Sequence, residues 1–324
     1  MTAMRTMWGQ LKGVFSKPPA ATGGGTTPPT APSPEAEKQN TDKNVTEGTT
    51  KFGSAGGQFK KLKGSGNLNT RQKQIFNENL KKAIEADPRA KAGAMSDADL
   101  KALAQQAADV TNKLAEVPFG KDVNKLAAKS ETLKTNIVEL QNDGWTIKYA
   151  EDGKGDRTDR KDKIITIDKS EHAGTKAFVE SLAHETGHGR SPKPVIPTVA
   201  DDSPTVEKGR AYIRGVVEAF LLDEGEAQVV ACETAAELEA KGEKKINIPG
   251  THSDQYKAVY KKLADGSLSR ADARKEMAKI MGTESTTGGN QNYVTYYGDW
   301  ARQQWNDAHA DAPVPDTDPI TVFP

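Results

Sequence analysis

The sequence predicts an α+β protein, because its hydrophobic periodicity changes twice along the chain. Up to residue 144, apolar residues recur at helical spacing in three successive stretches. Two short stretches, 145–149 and 164–168, then have the composition of strands, and the first alternates apolar with polar side chains. Helical spacing returns from Thr175 onward. Helices, then a small sheet, then more helices are typical of an α+β architecture.

The composition indicates that part of the chain lies outside a core. The 324 residues suffice for one large domain or two of ordinary size. Only 35% are hydrophobic, against roughly 45–50% in a typical domain when glycine is also counted. We expect residues 1–66, with their Pro-, Gly- and Thr-rich segments, to be disordered. Residues 4–15 carry an apolar stripe, either a short docking helix that serves as a delivery signal or a frayed start.

Charge and cysteine content argue against several classes of partner and site. Lys+Arg and Asp+Glu both total 45, and this zero net charge predicts no nucleic-acid partner. The first 75 residues hold 11 basic and 4 acidic side chains, which predicts a basic tail on an acidic body. No run of about 18 apolar residues predicts a membrane span, and no apolar stretch predicts a Sec signal. Cys232 is the one cysteine, so neither a disulfide framework nor a Cys-ligated metal site is expected within one chain.

Residues 67–118 are predicted to form a helical region. The apolar stripe from Ile75 to Ile84 predicts a helix closed by Pro88, and Ser96 is placed to cap a second helix. A third helix is predicted over residues 123–140. Whether residues 67–118 form a separate domain or pack on the rest stays open from the sequence.

The string His184-Glu185-Thr186-Gly187-His188 is the most specific chemical signal in the chain. Two histidines at i and i+4 lie on one face of a helix, so both imidazoles can reach one metal ion. Glu185 would lie beside the water that such an ion activates. Imidazole and carboxylate ligands favour zinc, and we expect one Zn²⁺ ion. The alternative is a pair of structural histidines near a helix end.

A third protein ligand is expected from the acids Asp223, Glu224 and Glu226. They follow an unusually apolar helical stretch that we expect to begin at Ser203 and Pro204. Buried carboxylates are costly unless they are paired or bind a metal. Both Glu224 and Glu226 are in phase with apolar residues, so periodicity does not choose between them.

The arrangement of these motifs resembles the gluzincin metallopeptidases. In that pattern H-E-x-x-H is followed by E-x-x-A-[DN], and here Glu224 and Ala227 match while Gln228 replaces Asp or Asn. The resemblance implies that Glu224 is the third zinc ligand, with Glu226 as runner-up. Residues 121–240 resemble the metallopeptidase domains of bacterial secreted effectors and polymorphic toxins. The resemblance further implies a zincin-like domain over 119–310, which contains a helix, a small sheet, the H-E-x-x-H helix and a glutamate helix. By composition, residues 311–324 are predicted to be a Pro- and Asp-rich tail.

The expected mechanism assigns peptide-bond hydrolysis to zinc and Glu185. Glu185 is the general base that takes a proton from water and passes it to the leaving amine. The strand at 164–168 is expected to be the edge strand that holds an extended peptide. Candidates for stabilising the transition state are His252, Tyr293, Tyr296 and Tyr297. His172 and His309 are expected to be structural.

The leading functional hypothesis is a zinc endopeptidase that acts as a secreted bacterial effector or toxin. Its expected partners are a protein or peptide substrate, with a chaperone, a secretion apparatus or an immunity protein. It would leave the bacterium by a non-Sec route and act in a target cell or the periplasm. The alternatives are a zinc hydrolase of peptidoglycan peptides and a non-enzymatic adaptor with a structural metal site, which would have no need of Glu185.

Overall fold

The computed structural model describes residues 32–200, 203–286 and 291–323. It is an α+β protein, mostly helical with a small three-stranded sheet. The chain divides into two compact units, one formed by residues 32–116 and 137–144, the other by residues 117–136 and 145–323. None of the described helices has the length and hydrophobicity needed to cross a membrane. The predicted delivery stripe at 4–15 lies outside the described residues.

The first unit is helical. Its helices are α1 (Pro34–Phe52), α2 (Thr70–Ala86), α3 (Pro88–Ala92), α4 (Asp97–Lys113) and the last residues of α6 (Glu131–Asn142). The side chain of Ser96 caps α4 as the sequence predicts. The core between these helices contains Phe52, Phe59, Leu62, Phe76, Leu80, Ile84, Leu100 and Leu103.

The prediction of disorder over residues 1–66 is wrong for residues 34–66. The side chain of Ser33 caps α1, and Phe52, Phe59 and Leu62 are buried. This segment has too few apolar residues to form a core alone, but it completes a core that α2 and α4 supply. A prediction from composition considers a segment in isolation. It therefore underestimates the contribution of a segment to a core that other helices share.

A buried asparagine on α1 holds this helix against residues 90–95 of the same chain. Asn44 is fully buried, and its Nδ2 donates to the carbonyls of Ala90 (3.0 Å) and Gly93 (2.7 Å). Its Oδ1 accepts from the amide of Met95 at 2.9 Å. One side chain therefore satisfies three backbone groups of the segment between α3 and α4, which would otherwise be buried without partners.

The second unit contains the sheet and the two long helices of the predicted site. Its elements are α5 (Lys121–Ala127), the start of α6, β1 (Thr146–Tyr149), β2 (Arg157–Asp159), β3 (Ile164–Ile167), α7 (Thr175–Arg190), α8 (Val206–Ala240), α9 (Ser253–Ala264), α10 (Arg270–Thr283) and α11 (Tyr293–Ala308). The single helix predicted over 123–140 is divided into α5 and α6. Ser130 lies at the break, where its Oγ accepts from the amide of Leu133 at 3.0 Å.

The strand order β1-β3-β2 corrects the predicted edge strand. β3 pairs with β1 in parallel and with β2 antiparallel, so β3 is central and β2 is an edge. β2 lies between the strands predicted at 145–149 and 164–168, in a segment for which no strand is predicted from the sequence. Its sequence, Arg157-Thr158-Asp159, is wholly polar, and its register against β3 comes from tertiary pairing rather than from a hydrophobic pattern.

The predicted tail at 311–324 packs on α11 over its described residues. Nε1 of Trp305 donates to the carbonyl of Ala312 at 3.0 Å, and Asn306 exchanges two hydrogen bonds with the backbone of Val314. Val314 is buried. Helix α8 also begins slightly later than predicted, because Thr205 rather than Ser203 caps it.

Helices α7 and α8 pack closely at Gly187. A Cβ placed on Gly187 would lie 2.7 Å from Cα of Ala227 and 3.2 Å from Cβ of Val230. Contacts this short are not tolerated, so glycine and alanine at this crossing set the distance between the two helices.

We predict that Asn44→Ala lowers the free energy of unfolding of the first unit by about 2–3 kcal/mol, because three backbone groups lose their buried partner. Urea titration with hydrogen exchange of α1 measures this. The control is Asn40→Ala, whose exposed Nδ2 donates to the carbonyl of Lys91, and it should cost less than about 1 kcal/mol. Equal effects of the two substitutions would show that Asn44 does not fix α1.

We predict that Gly187→Ala lowers the free energy of unfolding of the second unit by about 1–3 kcal/mol, because the added methyl group meets backbone atoms of α8. Thermal unfolding of the full chain measures the loss. Gly66→Ala is the control, since a Cβ there meets no atom within 4 Å. An unchanged melting temperature for Gly187→Ala would contradict the tight crossing.

Candidate metal centre

Three buried side chains from α7 and α8 meet at one point. Nε2 of His184 and Nε2 of His188 are 3.1 Å apart, and each lies 3.3 Å from Oε2 of Glu224. Tetrahedral coordination with bonds of about 2.0–2.1 Å places ligand atoms about 3.3 Å from one another. The His184, His188 and Glu224 group therefore could hold one metal ion, and its donor atoms have the spacing that a small divalent ion requires.

Glu226 lies outside this group. Its Oε1 forms an ion pair with Nη2 of Arg270 at 2.6 Å, and Arg270 also binds Glu233. Residues two apart on a helix differ in direction by about 200°. Helix α8 therefore turns Glu224 toward α7 and Glu226 toward Arg270 at the start of α10.

Asp223 holds the second nitrogen of His188. Oδ2 of Asp223 lies 2.9 Å from Nδ1 of His188. Nε2 of His188 therefore faces His184 and Glu224, and these three residues are called the metal group below. Carboxylates in this position fix the ring orientation of histidine ligands and increase their basicity. Burial would raise the pKa of Asp223, but hydrogen bonds from His188 and Arg160 bring it below its usual value.

Arg160 connects the sheet side of the site to both helices. Its Nη2 donates to Oδ1 of Asp223 at 2.5 Å and to the backbone carbonyl of His188 at 2.7 Å. Arg160 follows β2 directly, so the end of this edge strand is bound to the carboxyl end of α7 and to α8. The guanidinium also neutralises Asp223, which is buried.

The other oxygen of Glu224 is held by Tyr297. The hydroxyl of Tyr297 donates to Oε1 of Glu224 at 2.7 Å, and its ring stacks on Phe220 with centroids 4.9 Å apart. Burial would raise the pKa of Glu224, but the neighbouring histidines lower it well below its usual value. For His188, burial would lower the pKa, while Glu224 and Asp223 raise it well above the ordinary value. The same negative field favours any cation bound at this point.

Glu185 lies on the sheet side of the group. Its Oε2 accepts a hydrogen bond from Oγ1 of Thr158 at 2.6 Å, and the same hydroxyl lies 2.9 Å from the backbone carbonyl of Glu185. Burial raises the pKa of Glu185, and the adjacent histidines only partly offset this effect. Glu185 is not one of the three grouped residues, and its carboxylate is held by the hydroxyl of Thr158.

The four predicted transition-state stabilisers differ in burial and in their contacts with the metal group. Tyr297 is bound to Glu224, and Tyr293 is half-buried, with a pKa raised by burial and by the charges of Glu224 and Glu185. Tyr296 is 50% exposed and contacts the ring of Tyr297. His252 precedes α9 and its ring contacts Gln255. Within the described part of the chain, no hydrogen bond or ion pair joins the ring of His252 to His184, His188 or Glu224.

A second polar cluster supports the start of the site helix. Asp156 accepts from the hydroxyl of Ser181 and from the amide of Asp168, and Nε2 of His172 lies 2.8 Å from its Oδ2. This network ties α7 to the loops on either side of β2 and β3. The structural role expected of His172 agrees with these contacts, as does that of His309, whose Nε2 lies 2.6 Å from the carbonyl of Val199.

Sequence reasoning missed the role of Asp223 as the partner of His188, and it did not place Arg160 or Thr158 in the site. Asp223 stands in the acidic string after the apolar helix, and its position next to Glu224 was the available signal. Arg160 and Thr158 had no such signal, because no strand is predicted for their segment. Their roles follow only from the pairing of β2 with β3.

No protein-family model matches this chain, and neither the curated proteins nor the solved structures contain a match to it. What the site can do therefore follows from its own residues.

We predict that Glu224→Ala abolishes metal binding and that Glu226→Ala retains it. A site reduced to two histidines has too few protein ligands to hold zinc well, whereas Glu226 only pairs with Arg270. Equilibrium dialysis against zinc, with metal analysis of the purified variants, measures both. Metal retained in Glu224→Ala and lost in Glu226→Ala would move the third ligand by two residues.

Proposed function

We propose that this protein is a zinc-dependent endopeptidase. The observation that carries the proposal is the buried group of His184, His188 and Glu224 with Glu185 beside it and not part of it. Three protein ligands leave one position of a tetrahedral ion open, as catalytic zinc sites do. A fully liganded structural site would have no use for a further buried carboxylate that only a threonine holds.

Zinc is the metal that we propose for this group. Two imidazoles and one carboxylate form a borderline-soft donor set that suits zinc better than magnesium or calcium, which prefer oxygen ligands. When bound, zinc would supply a Lewis acid that polarises the scissile carbonyl and lowers the pKa of water. Asp223 and Tyr297 would keep His188 and Glu224 oriented toward the ion.

Glu185 is the residue that we propose as general base. Its carboxylate would take a proton from the attacking water and then deliver it to the amine of the leaving peptide. The hydrogen bond from Thr158 fixes the orientation of this carboxylate and leaves its second oxygen for the proton. We favour Tyr293 over Tyr297 as the donor to the oxyanion, because the hydroxyl of Tyr297 is already committed to Glu224.

The edge strand β2 is the proposed platform for the substrate. Its antiparallel pairing with β3 uses one side of its backbone, and Thr158 at its centre touches Glu185. An extended peptide that adds to the free side of β2 would run past the metal group. This proposal moves the binding edge from the strand at 164–168, as expected from the sequence, to residues 157–159.

We propose further that the peptidase acts as a secreted bacterial effector or toxin. The support is the resemblance of residues 121–240 to metallopeptidase domains of that kind. Cleavage of casein or of a target-cell protein would support a protein substrate. Selective cleavage of peptidoglycan peptides would instead favour the cell-wall hydrolase.

We predict that Glu185→Gln retains zinc but lowers the rate of peptide hydrolysis by several orders of magnitude. Proton transfer to and from the reacting groups contributes roughly 10²–10⁴-fold at each step, and both steps depend on this residue. Casein cleavage by zinc-loaded protein, with and without a chelator, measures the loss. Glu226→Gln is the control and should keep its activity, since Glu226 lies outside the metal group. Near-full activity of Glu185→Gln with zinc bound would overturn the mechanism.

A further inference from the structure

A cleft of about 430 Å³ opens beside the metal group. One wall is β2 with the two residues that follow it, and the other is the proline-rich loop after α7. Its lining consists of Arg157, Thr158, Asp159, Arg160, Lys161, Lys193, Pro194, Ile196 and Phe220. A volume of this size accommodates amino-acid side chains next to the reacting bond.

Three contacts link the lining to the catalytic group. Thr158 donates to Glu185 and Arg160 donates to the carbonyl of His188, whereas Phe220 reaches Glu224 only through the stacked ring of Tyr297. These residues belong to β2 with the residue that follows it and to α8, so both of these segments join the cleft to the site. A peptide bound on β2 with its scissile bond at Glu185 would place neighbouring side chains here.

The charge of the cleft is strongly positive. Four cationic side chains line it, against the single carboxylate of Asp159. Asp159 pairs with Arg157 at 2.9 Å, and Arg160 is neutralised by Asp223 behind the wall. Lys161 and Lys193 are both exposed, and neither forms a salt bridge with a carboxylate in the described part of the chain. The four cations outnumber the carboxylates of Asp159 and Asp223, so the amines of Lys161 and Lys193 leave an excess of positive charge at the cleft.

The lining also contains the apolar side chains of Phe220, Pro194 and Ile196. Apolar walls lower the local dielectric constant and so strengthen the interaction of a bound charge with the two amines. They also cover the methylene groups of a side chain such as glutamate. A neutral side chain such as glutamine would gain only the second of these benefits.

We propose that this cleft is a specificity subsite that selects substrates with an acidic side chain close to the scissile bond. Lys161 and Lys193 are the residues that determine this selectivity, and Asp or Glu of the substrate is the group that they bind. The proposal rests on the proposed peptidase function, because it takes β2 as the substrate platform.

Digestion of a proteome-derived peptide library by the zinc-loaded full chain tests the selectivity. We expect cleavage sites to be enriched in Asp and Glu at one fixed position relative to the scissile bond. For a matched peptide pair that differs by Glu and Gln at that position, kcat/KM should favour Glu by about tenfold, which corresponds to about 1.4 kcal/mol, or two exposed ion pairs of about 0.7 kcal/mol each. The preference should fall as salt is added.

The charge-reversed variant Lys161→Glu with Lys193→Glu should lose or invert this preference while it keeps its zinc and cleaves the Gln peptide within about threefold of the unchanged chain. The matched control is Lys261→Glu with Lys262→Glu, which makes the same charge change at exposed positions on α9. It should keep the preference for Glu. A preference that survives in the cleft variant would overturn the assignment of the subsite.

The outcomes separate this proposal from the function on which it rests. Absence of any chelator-sensitive cleavage would overturn the peptidase function, whereas cleavage without acidic enrichment would overturn the subsite alone. Binding of two labelled decapeptides, one with two central Glu and one with two central Gln, to zinc-loaded Glu185→Gln gives a readout without turnover. Substrates are tested as free acids and as C-terminal amides. A requirement for the free carboxylate, without a side-chain preference, would count against the proposal.

Discussion

The crossing of α7 over α8 is the constraint on which the site depends. His184 and His188 lie on one helix and Glu224 on the other, and their donor atoms lie within 3.3 Å of one another. That distance is possible only because Gly187 and Ala227 let the backbones approach between them. A larger side chain at either position would separate the helices by more than a metal–ligand bond can tolerate. The glycine inside the H-E-x-x-H string is thus a packing requirement as well as part of a motif.

The second constraint is electrostatic, because the site buries several ionisable groups within a short distance. Each of them is costly to bury alone, and each has a specific partner: Asp223 has Arg160 and His188, Glu224 has Tyr297 and the histidines, and Glu185 has Thr158. The partners come from β2 and the residue after it, from α7 and from α11, whereas Asp223 and Glu224 lie on α8. The polar contacts that make the burial tolerable therefore also join the sheet to the helices, and a folded second unit and an ordered site require one another.

The sequence predicted that His184, His188 and Glu224 come together, because the signals for this group are local. The i, i+4 spacing of His184 and His188 and the E-x-x-A string at Glu224 each lie within one or two helical turns. The sequence did not predict β2, Arg160 or α1, because these depend on partners distant along the chain. Arg157-Thr158-Asp159 becomes a strand only against Ile164–Ile167. Residues 34–66 become ordered only on a core that α2 and α4 complete. Local periodicity contains no information about either pairing.

Hydrophobic periodicity does not distinguish Glu224 from Glu226, whereas the packing of α8 does. Both are in phase with apolar residues, because α8 is buried on more than one side. One face meets α7 at Ala227, and another meets α10, where Gly225 packs against the backbone carbonyl of Arg274. A helix held between two others has two inward directions, and acidic residues two positions apart point along different ones. Glu224 meets two imidazoles, whereas Glu226 meets the guanidinium of Arg270. Each carboxylate is balanced by positive or polar partners, but only the histidine side offers a set of ligands that converge on one point.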